Sequence, residues 1–354
     1  MSRLEISVGD VKLKNPVIAG SGEATITEDG IRAALKAGVG AVVPKSTNET
    51  DAAKRQLNHT DYILLDSRWR PIKWTSNPPE DAMLFSRSGL QQESFDTWLE
   101  KLVRLDAEAK TMDSYVVGKL SLANLDSCVR MAEQMQEAGL RIIEVMAGAV
   151  HGEQAVKGAI SLVRDPASVQ EITKRLRERL KVPLWMKLPH GEDMTQLAKA
   201  ARDGGANAVS FIDRHLAMVP DLETRAPVLG TLGAIGGPWG LPITCRWIAR
   251  TRQTLGPELP MIGTNGARDG FDVARMLLAG ASAVEMTSSV IIEGVRSLSR
   301  SIEELDGYLA EQGVTASQIV GEATDKLTAY TDQPSRPGRW QIYVRPEVLG
   351  KPGA

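Results

Sequence analysis

Residues 261–289 read MIGTNGARDGFDVARMLLAGASAVEMTSS, and they contain one complete strand–helix–strand unit. A glycine-bearing turn and an amphipathic pattern over 269–278 separate an apolar run at 261–263 from a second run at 283–286. Both runs are largely continuous rather than alternating, which is typical of strands buried on both faces of a parallel sheet. Gly280 follows the amphipathic pattern, where a left-handed residue commonly ends a helix. The stretch therefore predicts a parallel sheet built from βα units.

The same alternation extends over most of the chain. Apolar runs predict eight strands, at 17–19, 41–43, 115–118, 142–146, 184–188, 208–212, 261–263 and 283–286. Amphipathic patterns predict eight helices, at 28–37, 95–110, 125–137, 166–180, 194–203, 242–254, 269–278 and 289–309. Eight strands alternating with eight helices predict an α/β fold, the (β/α)₈ or TIM barrel. A doubly wound sheet is the alternative, but no GxGxxG follows the first strand.

Three segments fall outside this repeat. Residues 4–13 alternate around Gly9-Asp10 and predict an N-terminal β-hairpin that plugs the bottom of the barrel. Residues 58–92 follow the second strand, so we expect an insertion or lid over the C-terminal face, where barrel enzymes have their active sites. Residues 325–354 are predicted to form an extended C-terminal tail. With these segments included, the whole chain, 1–354, is expected to form a single barrel domain.

Composition excludes several classes of protein. The 354 residues are 42% hydrophobic and 24% charged, which indicates a folded globular chain. The formal net charge is −2 and the basic residues are dispersed, so no nucleic-acid partner is expected. Without an apolar leader or a run near ~18 apolar residues, we expect a cytoplasmic protein with no membrane contact. Cys128 and Cys245 are too few for a four-cysteine zinc site or an iron–sulfur cluster bound by this chain alone, and no metal is expected.

Three polar or glycine-bearing segments follow the late strands. They are 233–237 (GAIGG), 263–266 (GTNG) and 287–289 (TSS). Glycines allow a ligand to approach the backbone closely, and N–H groups at such turns bind anions. Because loops after strands seven and eight of barrels commonly hold phosphate, the pattern predicts a phosphate site. The alternative is that these glycines only form tight turns.

Two lysines lie at predicted strand ends, Lys45 in VVPKS and Lys187 in WMKLP. Both are expected to project into the mouth of the barrel, where an ammonium group can stabilise negative charge that develops during a reaction. The alternative is the ordinary one for lysine, with the ammonium group extended to the surface.

In order along the chain, NPVIAGSG, AVVPKS, IIEVMAG, LWMKLP, GAIGG, MIGTNG and EMTSS resemble the motifs of the dihydroorotate dehydrogenase family of FMN-dependent barrels. That family includes the flavin domain of dihydropyrimidine dehydrogenase, and the resemblance runs from about Leu4 to Leu309. It implies FMN as cofactor and hydride transfer between flavin N5 and a CH–CH or C=C bond of a small planar substrate. It also implies a homodimer and a possible separate electron-transfer partner that brings its own cluster.

The resemblance assigns cofactor and catalytic positions residue by residue. The implied FMN-binding residues are Gly20, Ser21, Gly22, Lys45, Ser46, Lys187, Gly236, Gly237, Gly263, Asn265, Gly266, Thr287 and Ser288. Among them, Lys45 is also expected to position or polarise the substrate. Lys187 is expected to contact the pyrimidine edge of the flavin and tune it.

The chain departs from the family where the substrate would bind. The soluble branch of the family has N-L-S-C-P-N after the fourth strand, with the Cys as general base, whereas residues 146–151 here read MAGAVH. Ala149 therefore replaces the base, and Ser86, Met146, His151 and Ser210 replace the asparagines that hold orotate. The expected substrate contacts are Ser86, Gly89, Leu90, Met146 and Ser210. A site without those amides loses discrimination for its ring, so the sequence predicts a substrate other than dihydroorotate.

Several residues are candidates to replace the missing base. His151 and His190 are the predicted catalytic histidines because imidazole titrates near working pH, and Glu153 is a third candidate. Each of them can equally be a loop residue with no chemical role, and His215 can equally belong to a lid or contact substrate.

The insertion carries Arg68, Trp69, Arg70 and Trp74, which favour either recognition of a planar anion or a subunit interface. Two alternatives to the oxidoreductase also stay open. One is a flavin-free phosphate-binding barrel lyase or isomerase, and the other is a non-catalytic flavin-binding paralogue.

Overall fold

A computed structural model of the chain describes residues 2–148, 163, 165–211 and 214–350. The chain divides into two compact units, Met1–Thr324 and Asp325–Ala354. The strands within the described residues are β1 (Ile6–Val8), β2 (Val11–Leu13), β3 (Val17–Ala19), β4 (Ala41–Val42), β5 (Asp61–Leu65), β6 (Pro71–Ile72), β7 (Met83–Arg87), β8 (Tyr115–Val116), β9 (Gly118–Ser121), β10 (Ile143–Met146), β11 (Leu184–Lys187), β12 (Ala208–Phe211), β13 (His215–Ala217), β14 (Gly233–Gly236), β15 (Met261–Thr264) and β16 (Ala283–Met286). The α-helices are α1 (Glu28–Lys36), α2 (Asp51–Gln56), α3 (Phe95–Lys110), α4 (Leu125–Glu137), α5 (Pro166–Arg177), α6 (Met194–Asp203), α7 (Leu241–Leu255), α8 (Gly270–Ala279), α9 (Ser288–Glu293), α10 (Arg296–Gln312) and α11 (Glu322–Asp325).

The larger unit is built around a parallel sheet with the strand order β8-β4-β3-β16-β15-β12-β11-β10-β9. Its two end segments, β8 and β9, are separated only by Val117, whose N–H donates to the carbonyl of Val42 at 2.9 Å. They are successive halves of one strand: β8 pairs with β4 and β9 pairs with β10. The sheet thereby closes as an eight-stranded barrel, which confirms the predicted TIM-barrel fold.

Helices flank the barrel, and several of them begin at a polar residue whose side chain caps the first turn. The Ser94 hydroxyl accepts from the N–H of Thr97 at the start of α3, and the Asp165 carboxylate caps α5 just before Pro166. The bounds of α3, α4 and α6 are those predicted. The prediction of one helix over 289–309 is wrong: α9 and α10 are separate because Gly294, with φ +79°, turns the chain between them.

An antiparallel hairpin of β1 and β2 closes the bottom of the barrel, as predicted. Gly9 forms its turn with φ +60°, and a Cβ there would lie 3.3 Å from the carbonyl oxygen of Asn207, just before β12. The inward side chains of the hairpin are buried; they are Ile6, Val8, Val11 and Leu13.

A second, antiparallel sheet lies at the other end, with the strand order β13-β14-β7-β5-β6. The predicted insertion supplies β5, β6 and β7. The prediction of a glycine turn at 233–237 is corrected, since 233–236 form β14 and pair with both β13 and β7. The sheet has its own small apolar cluster, composed of Leu65, Met83, Phe85, Val219, Leu229 and Ile235.

The smaller unit, Asp325–Ala354, contains short 3₁₀ turns at Tyr330–Asp332, Arg339–Tyr343 and Pro346–Leu349. Its aromatic side chains Tyr330, Trp340 and Tyr343 are exposed. Across the described part of both units, no helix has the length and apolar character needed to cross a membrane.

Candidate active site

A pocket opens where the carboxyl ends of the barrel strands meet the second sheet. The barrel contributes residues that follow β3, β4, β11, β15 and β16, and the second sheet contributes Tyr62 and Leu84. The insertion therefore lies over the C-terminal face of the barrel, as expected from its place in the sequence.

One end of the pocket is lined by Gly237, Asn265, Gly266 and Ser288. Together with Gly236, which packs against Ser288, we call these residues the glycine corner. A Cβ on Gly236 would lie 2.6 Å from the Ser288 hydroxyl oxygen. Gly266 has φ +125°, and a Cβ there would collide with the backbone of Leu241. The glycines at this corner thus allow neighbouring backbone and side chains to pack closely around them.

Asn265 is the most unusual residue of the glycine corner. Its backbone has φ +65°, and neither its side-chain nitrogen nor its side-chain oxygen has a hydrogen-bond partner although both are buried. A buried amide without partners costs free energy, so it indicates a ligand that would complete its bonding. An oxygen-rich group such as a phosphate fits this corner.

A cation also borders the glycine corner, and sequence reasoning missed it. Arg268 lines the pocket and donates to Glu293 at 2.6 Å, with only 13% of its side chain exposed. Its signal was present in the sequence, since it lies two residues after the GTNG motif on the same loop.

Several residues expected to bind the flavin ring also line the pocket. Ser21, Gly22, Lys45 and Lys187 all line the pocket. The hydroxyl groups of Ser21 and Ser46 lie 3.4 Å apart. Gly20 lies behind them, where a Cβ would collide with Thr287, so its glycine allows β3 and β16 to approach closely.

A buried hydrogen-bond network lies at the pocket beside Lys45, and we call Glu23, Lys45, Tyr62 and Ser88 the Glu23 network. The Lys45 ammonium group donates to Glu23 and to the Ser88 hydroxyl, each at 2.8 Å. The hydroxyl groups of Tyr62 and Ser88 also donate to the Glu23 carboxylate. Tyr62 comes from β5 of the insertion, so the network joins the barrel to the second sheet.

Electrostatics hold this network in one charge state. Burial alone would raise the pKa of Glu23, but the Lys45 charge and the three hydrogen bonds lower it to about 2. Burial and the neighbouring Glu23 charge raise the pKa of the Tyr62 phenol. At neutral pH the network therefore contains a carboxylate, an ammonium group and a protonated phenol.

Lys187 belongs to a second buried group of charges inside the barrel, and we call Lys119, Glu144, Lys187 and Glu285 the barrel quartet. Lys187 pairs with Glu285 at 2.5 Å, and Lys119 pairs with Glu144. None of the four residues is more than 6% exposed. The Ser210 hydroxyl donates to Glu144 at 2.9 Å. The sequence prediction included only Lys187 and Ser210, because Glu144 and Glu285 lie within otherwise apolar strands.

The two glutamates of the barrel quartet have very different pKa values. Burial, followed by the Glu144 charge, raises the pKa of Glu285 to about 7. Burial also opposes ionisation of Glu144, but the charges of Lys119 and Lys187 lower its pKa below the usual range. Two carboxyl groups at one site commonly separate their pKa values in this way, so Glu285 and not Glu144 is the carboxyl group that binds a proton as pH falls through neutral.

The other predicted residues have different surroundings. Ser86 accepts from Arg214, which lines the pocket, whereas Gly89 packs against the backbone of Leu57 and Leu90 is buried. Ser86, Gly89, Leu90, Met146 and Ser210 are absent from the described pocket lining. A Cβ on Gly263 would face Met276 of α8 at 2.6 Å, away from the pocket.

The predicted His190 is not among the described residues that line this pocket. His190 lines a separate depression with Gly191 and Asp193, and its ring packs 4.6 Å from that of His215. His151, Glu153 and Ala149 lie outside the described residues. Trp69 and Trp74 of the insertion are about half exposed and are not among the described pocket-lining residues.

Comparison with known proteins identifies the family. The family model described as "Dihydroorotate dehydrogenase" matches residues 73–309. The chain is 30% identical over 280 residues to dihydroorotate dehydrogenase A (fumarate) of Lactobacillus helveticus (strain DPC 4571), covering 77% of this chain and 89% of the relative. It is 28% identical over 324 residues to the catalytic subunit of dihydroorotate dehydrogenase B (NAD(+)) of Desulforudis audaxviator (strain MP104C), covering 90% of this chain and 96% of the relative.

The barrel, the glycine corner and the two lysines at the strand ends agree with that match. The chain belongs to the dihydroorotate dehydrogenase family of FMN-dependent oxidoreductases, which act on CH–CH bonds.

Proposed function

We propose that the chain binds FMN in the pocket and catalyses hydride transfer to or from a CH–CH or C=C bond of a small planar substrate other than dihydroorotate. The single observation that carries the FMN assignment is the buried, unpartnered amide of Asn265 in the glycine corner. Gly236, Gly237, Gly266, Thr287 and Ser288 complete the proposed phosphate site. FMN supplies the hydride-accepting and hydride-donating N5 atom when it is bound.

The other roles in the proposed reaction belong to side chains of this protein. Lys187 is proposed to hold the pyrimidine edge, as an ammonium group that favours negative charge there. Lys45, fixed by Glu23 and Ser88, directs its charge toward the substrate side of the pocket. The insertion covers this side with Leu84 and excludes water from the reacting atoms.

We propose Tyr62 as the proton donor and acceptor in place of the family's cysteine. Its phenol lines the pocket and stays protonated because burial and Glu23 raise its pKa. The proton would move by relay: when the substrate C–H is oxidised, the Tyr62 oxygen accepts its proton while the phenolic proton passes to Glu23, and reduction of the substrate reverses both transfers. His151 is an alternative proposal for this proton transfer. His190 would have to reach the substrate from the separate depression that it lines.

Two features support a substrate other than dihydroorotate. The relatives are dihydroorotate dehydrogenases by name, but the amides that would hold that ring are replaced here by Ser86, Met146 and Ser210. The Ser210 hydroxyl is bonded to Glu144 within the barrel, and the Ser86 hydroxyl accepts from Arg214. Neither serine presents the paired donor and acceptor of an amide to a pyrimidine.

The test begins with the absorption spectrum of the purified protein and identification of the ligand released on denaturation. Released FMN is the expected result. The bound FMN is then reduced anaerobically by light, and orotate, uracil, fumarate, maleimide and cyclohexenone are compared as oxidants. We expect an activated alkene to reoxidise the flavin and orotate to fail; reduction of the flavin by dihydroorotate would refute the proposed substrate class. A colourless protein that takes up no added FMN would refute the cofactor assignment.

We further propose a cytoplasmic homodimer, with a separate electron-transfer protein as a possible partner. The relative named as a catalytic subunit supports the second point, since that name implies other subunits in its own complex. Light scattering of the purified protein tests the dimer, and a mass near 38.3 kDa would contradict it.

A further inference from the structure

The barrel quartet places an additional acid beside the lysine proposed to hold the flavin. Lys187 and Glu285 both line the pocket, and their charged groups are 2.5 Å apart. Glu285 is 1% exposed, and its carboxyl group lies close enough to that of Glu144 to share a hydrogen bond with it when one of the two is protonated. An ionised Glu285 therefore neutralises the Lys187 charge at the point where the pocket begins.

We propose that Glu285 is a positioning residue that takes up a proton when the bound FMN is reduced, and so makes the reduction potential of the flavin depend on pH. The inference rests on the proposed binding of FMN in this pocket. Protonation of Glu285 would remove the negative charge that faces the Lys187 ammonium group, so that more of the Lys187 charge would act on the negative charge that reduction brings to the pyrimidine edge.

The surroundings of Glu285 allow one proton to be exchanged there. Its charged neighbours are Lys187 on β11, Glu144 on β10 and Lys119 on β9. The residues opposite it on the two directly paired strands are Ile18 and Thr264, neither of which titrates. With both carboxyl groups ionised the quartet is neutral, and with one protonated it carries a net charge of +1.

The buried position of the quartet determines which carboxyl group exchanges the proton. Glu144 is 0% exposed and already bonded by Lys119 and Ser210, which hold it ionised. Burial and the Glu144 charge raise the pKa of Glu285 to about 7, so added negative charge on the flavin would raise it further. Glu285 is therefore the group that responds to reduction.

The proton balance of the reduction can be counted. With xanthine as electron source, two electrons pass to the flavin and xanthine is oxidised to urate. One proton goes to flavin N5 and, where Glu285 is ionised beforehand, a second goes from water to its carboxylate. We therefore expect two protons per electron pair at about pH 9 and one at about pH 6, on either side of the Glu285 pKa.

The experiment measures the midpoint potential of the FMN-loaded protein against pH, in the xanthine and xanthine oxidase system with reference dyes. In Glu285→Gln we expect one proton per electron pair throughout, a higher potential than the wild type at about pH 9 and an equal one at about pH 6. The matched control is Asp106→Asn, which changes a buried, ion-paired carboxyl group of α3 and should follow the wild type. If the Glu285→Gln curve ran parallel to the wild-type curve, the inference would be overturned while the FMN proposal stood.

A second measurement does not depend on a folded variant. The infrared difference spectrum of oxidised wild-type holoprotein between about pH 6 and about pH 9, with and without ¹³C-glutamate, should show loss of a protonated glutamate band, because the Glu285 pKa lies between them. Absence of such a band would overturn the role of Glu285. Failure of the protein to bind FMN at all would instead overturn the proposed function, and this inference with it.

Discussion

The glycine corner and the Glu23 network lie in the same pocket but are made from different parts of the chain. The corner is a backbone structure, in which glycines and unusual φ angles allow close packing around one buried amide. The network is a side-chain structure, in which Lys45, Tyr62 and Ser88 reach Glu23 from three separate segments. We infer that the corner determines cofactor affinity, whereas the network determines reactivity and pH dependence.

The largest effect is expected in the corner. Gly266→Ala places a Cβ against the Leu241 backbone at φ +125°, so we expect loss of measurable FMN binding and more than about 3 kcal/mol of destabilisation. Isothermal titration with FMN and urea unfolding measure the two effects. Gly139→Ala is the control, because φ there is +102° but nothing lies within 4 Å of the added Cβ. Equal destabilisation by both variants would show that φ alone, and not the close approach, matters.

The next largest effect is expected on the free energy of unfolding at acid pH, through Glu23. The pKa of Glu23 is about 2 in the folded protein and 4.5 is its reference value, so its contribution is present above pH 4.5 and is lost as pH falls toward 2. That contribution is roughly 3 kcal/mol, and Glu23→Gln should remove this part of the pH dependence. Urea unfolding between about pH 6 and about pH 3 measures it. Glu311→Gln, at an exposed position of α10, should behave as wild type.

Tyr62→Phe separates reactivity from affinity. We expect reoxidation of the reduced flavin, by the alkene that the wild type uses best, to slow about a hundredfold, because the phenolic proton is lost. FMN affinity should remain within a factor of about two, since the phenol belongs to the network and not to the corner. Stopped-flow absorbance and FMN titration measure these quantities, with Tyr308→Phe on α10 as the control. A large loss of FMN affinity in Tyr62→Phe would contradict the division between the two regions.

The smallest of these effects is expected from removing the side-chain amide of Asn265, which has no hydrogen-bond partner. Asn265→Gly and Asn265→Ala both remove it, and only the glycine variant accepts φ +65° without strain. We expect each to weaken FMN binding about tenfold, the cost of one hydrogen bond to a charged group. Thermal unfolding should distinguish them, with the alanine variant less stable. Unchanged FMN affinity in both would mean that the amide does not contact the cofactor.

The comparison also explains what sequence alone can predict. The barrel and the glycine corner were predictable because continuous apolar runs, caps and glycines act locally, within a few residues of where they are read. The break at Gly294 was missed because the patterns on its two sides continue one another. The glycines at 233–237 predict a turn, whereas 233–236 form a strand, because the partners of that strand, β7 and β13, are distant in the sequence.

The Glu23 network and the barrel quartet could not be predicted for the same reason. Lys45 was found from its place at a strand end, but Tyr62 lies in an insertion whose pairing no local pattern specifies. Glu285 and Lys119 interrupt apolar strands, and their partners become neighbours only when the barrel closes. A charged residue in a buried strand is nevertheless a signal in itself, since it must find a counter-charge.

Strand β14 has a consequence for how this enzyme can be modified. Surface insertions of barrel enzymes are usually the segments most easily exchanged between homologues. Here Ala234, Ile235 and Gly236 pair with the insertion strand β7, while the next residue, Gly237, lines the pocket. A chimera that replaced residues 58–92 would therefore leave β14 with one unpaired edge directly beside the glycine corner. The insertion, β14 and the loop before α7 must therefore be exchanged together.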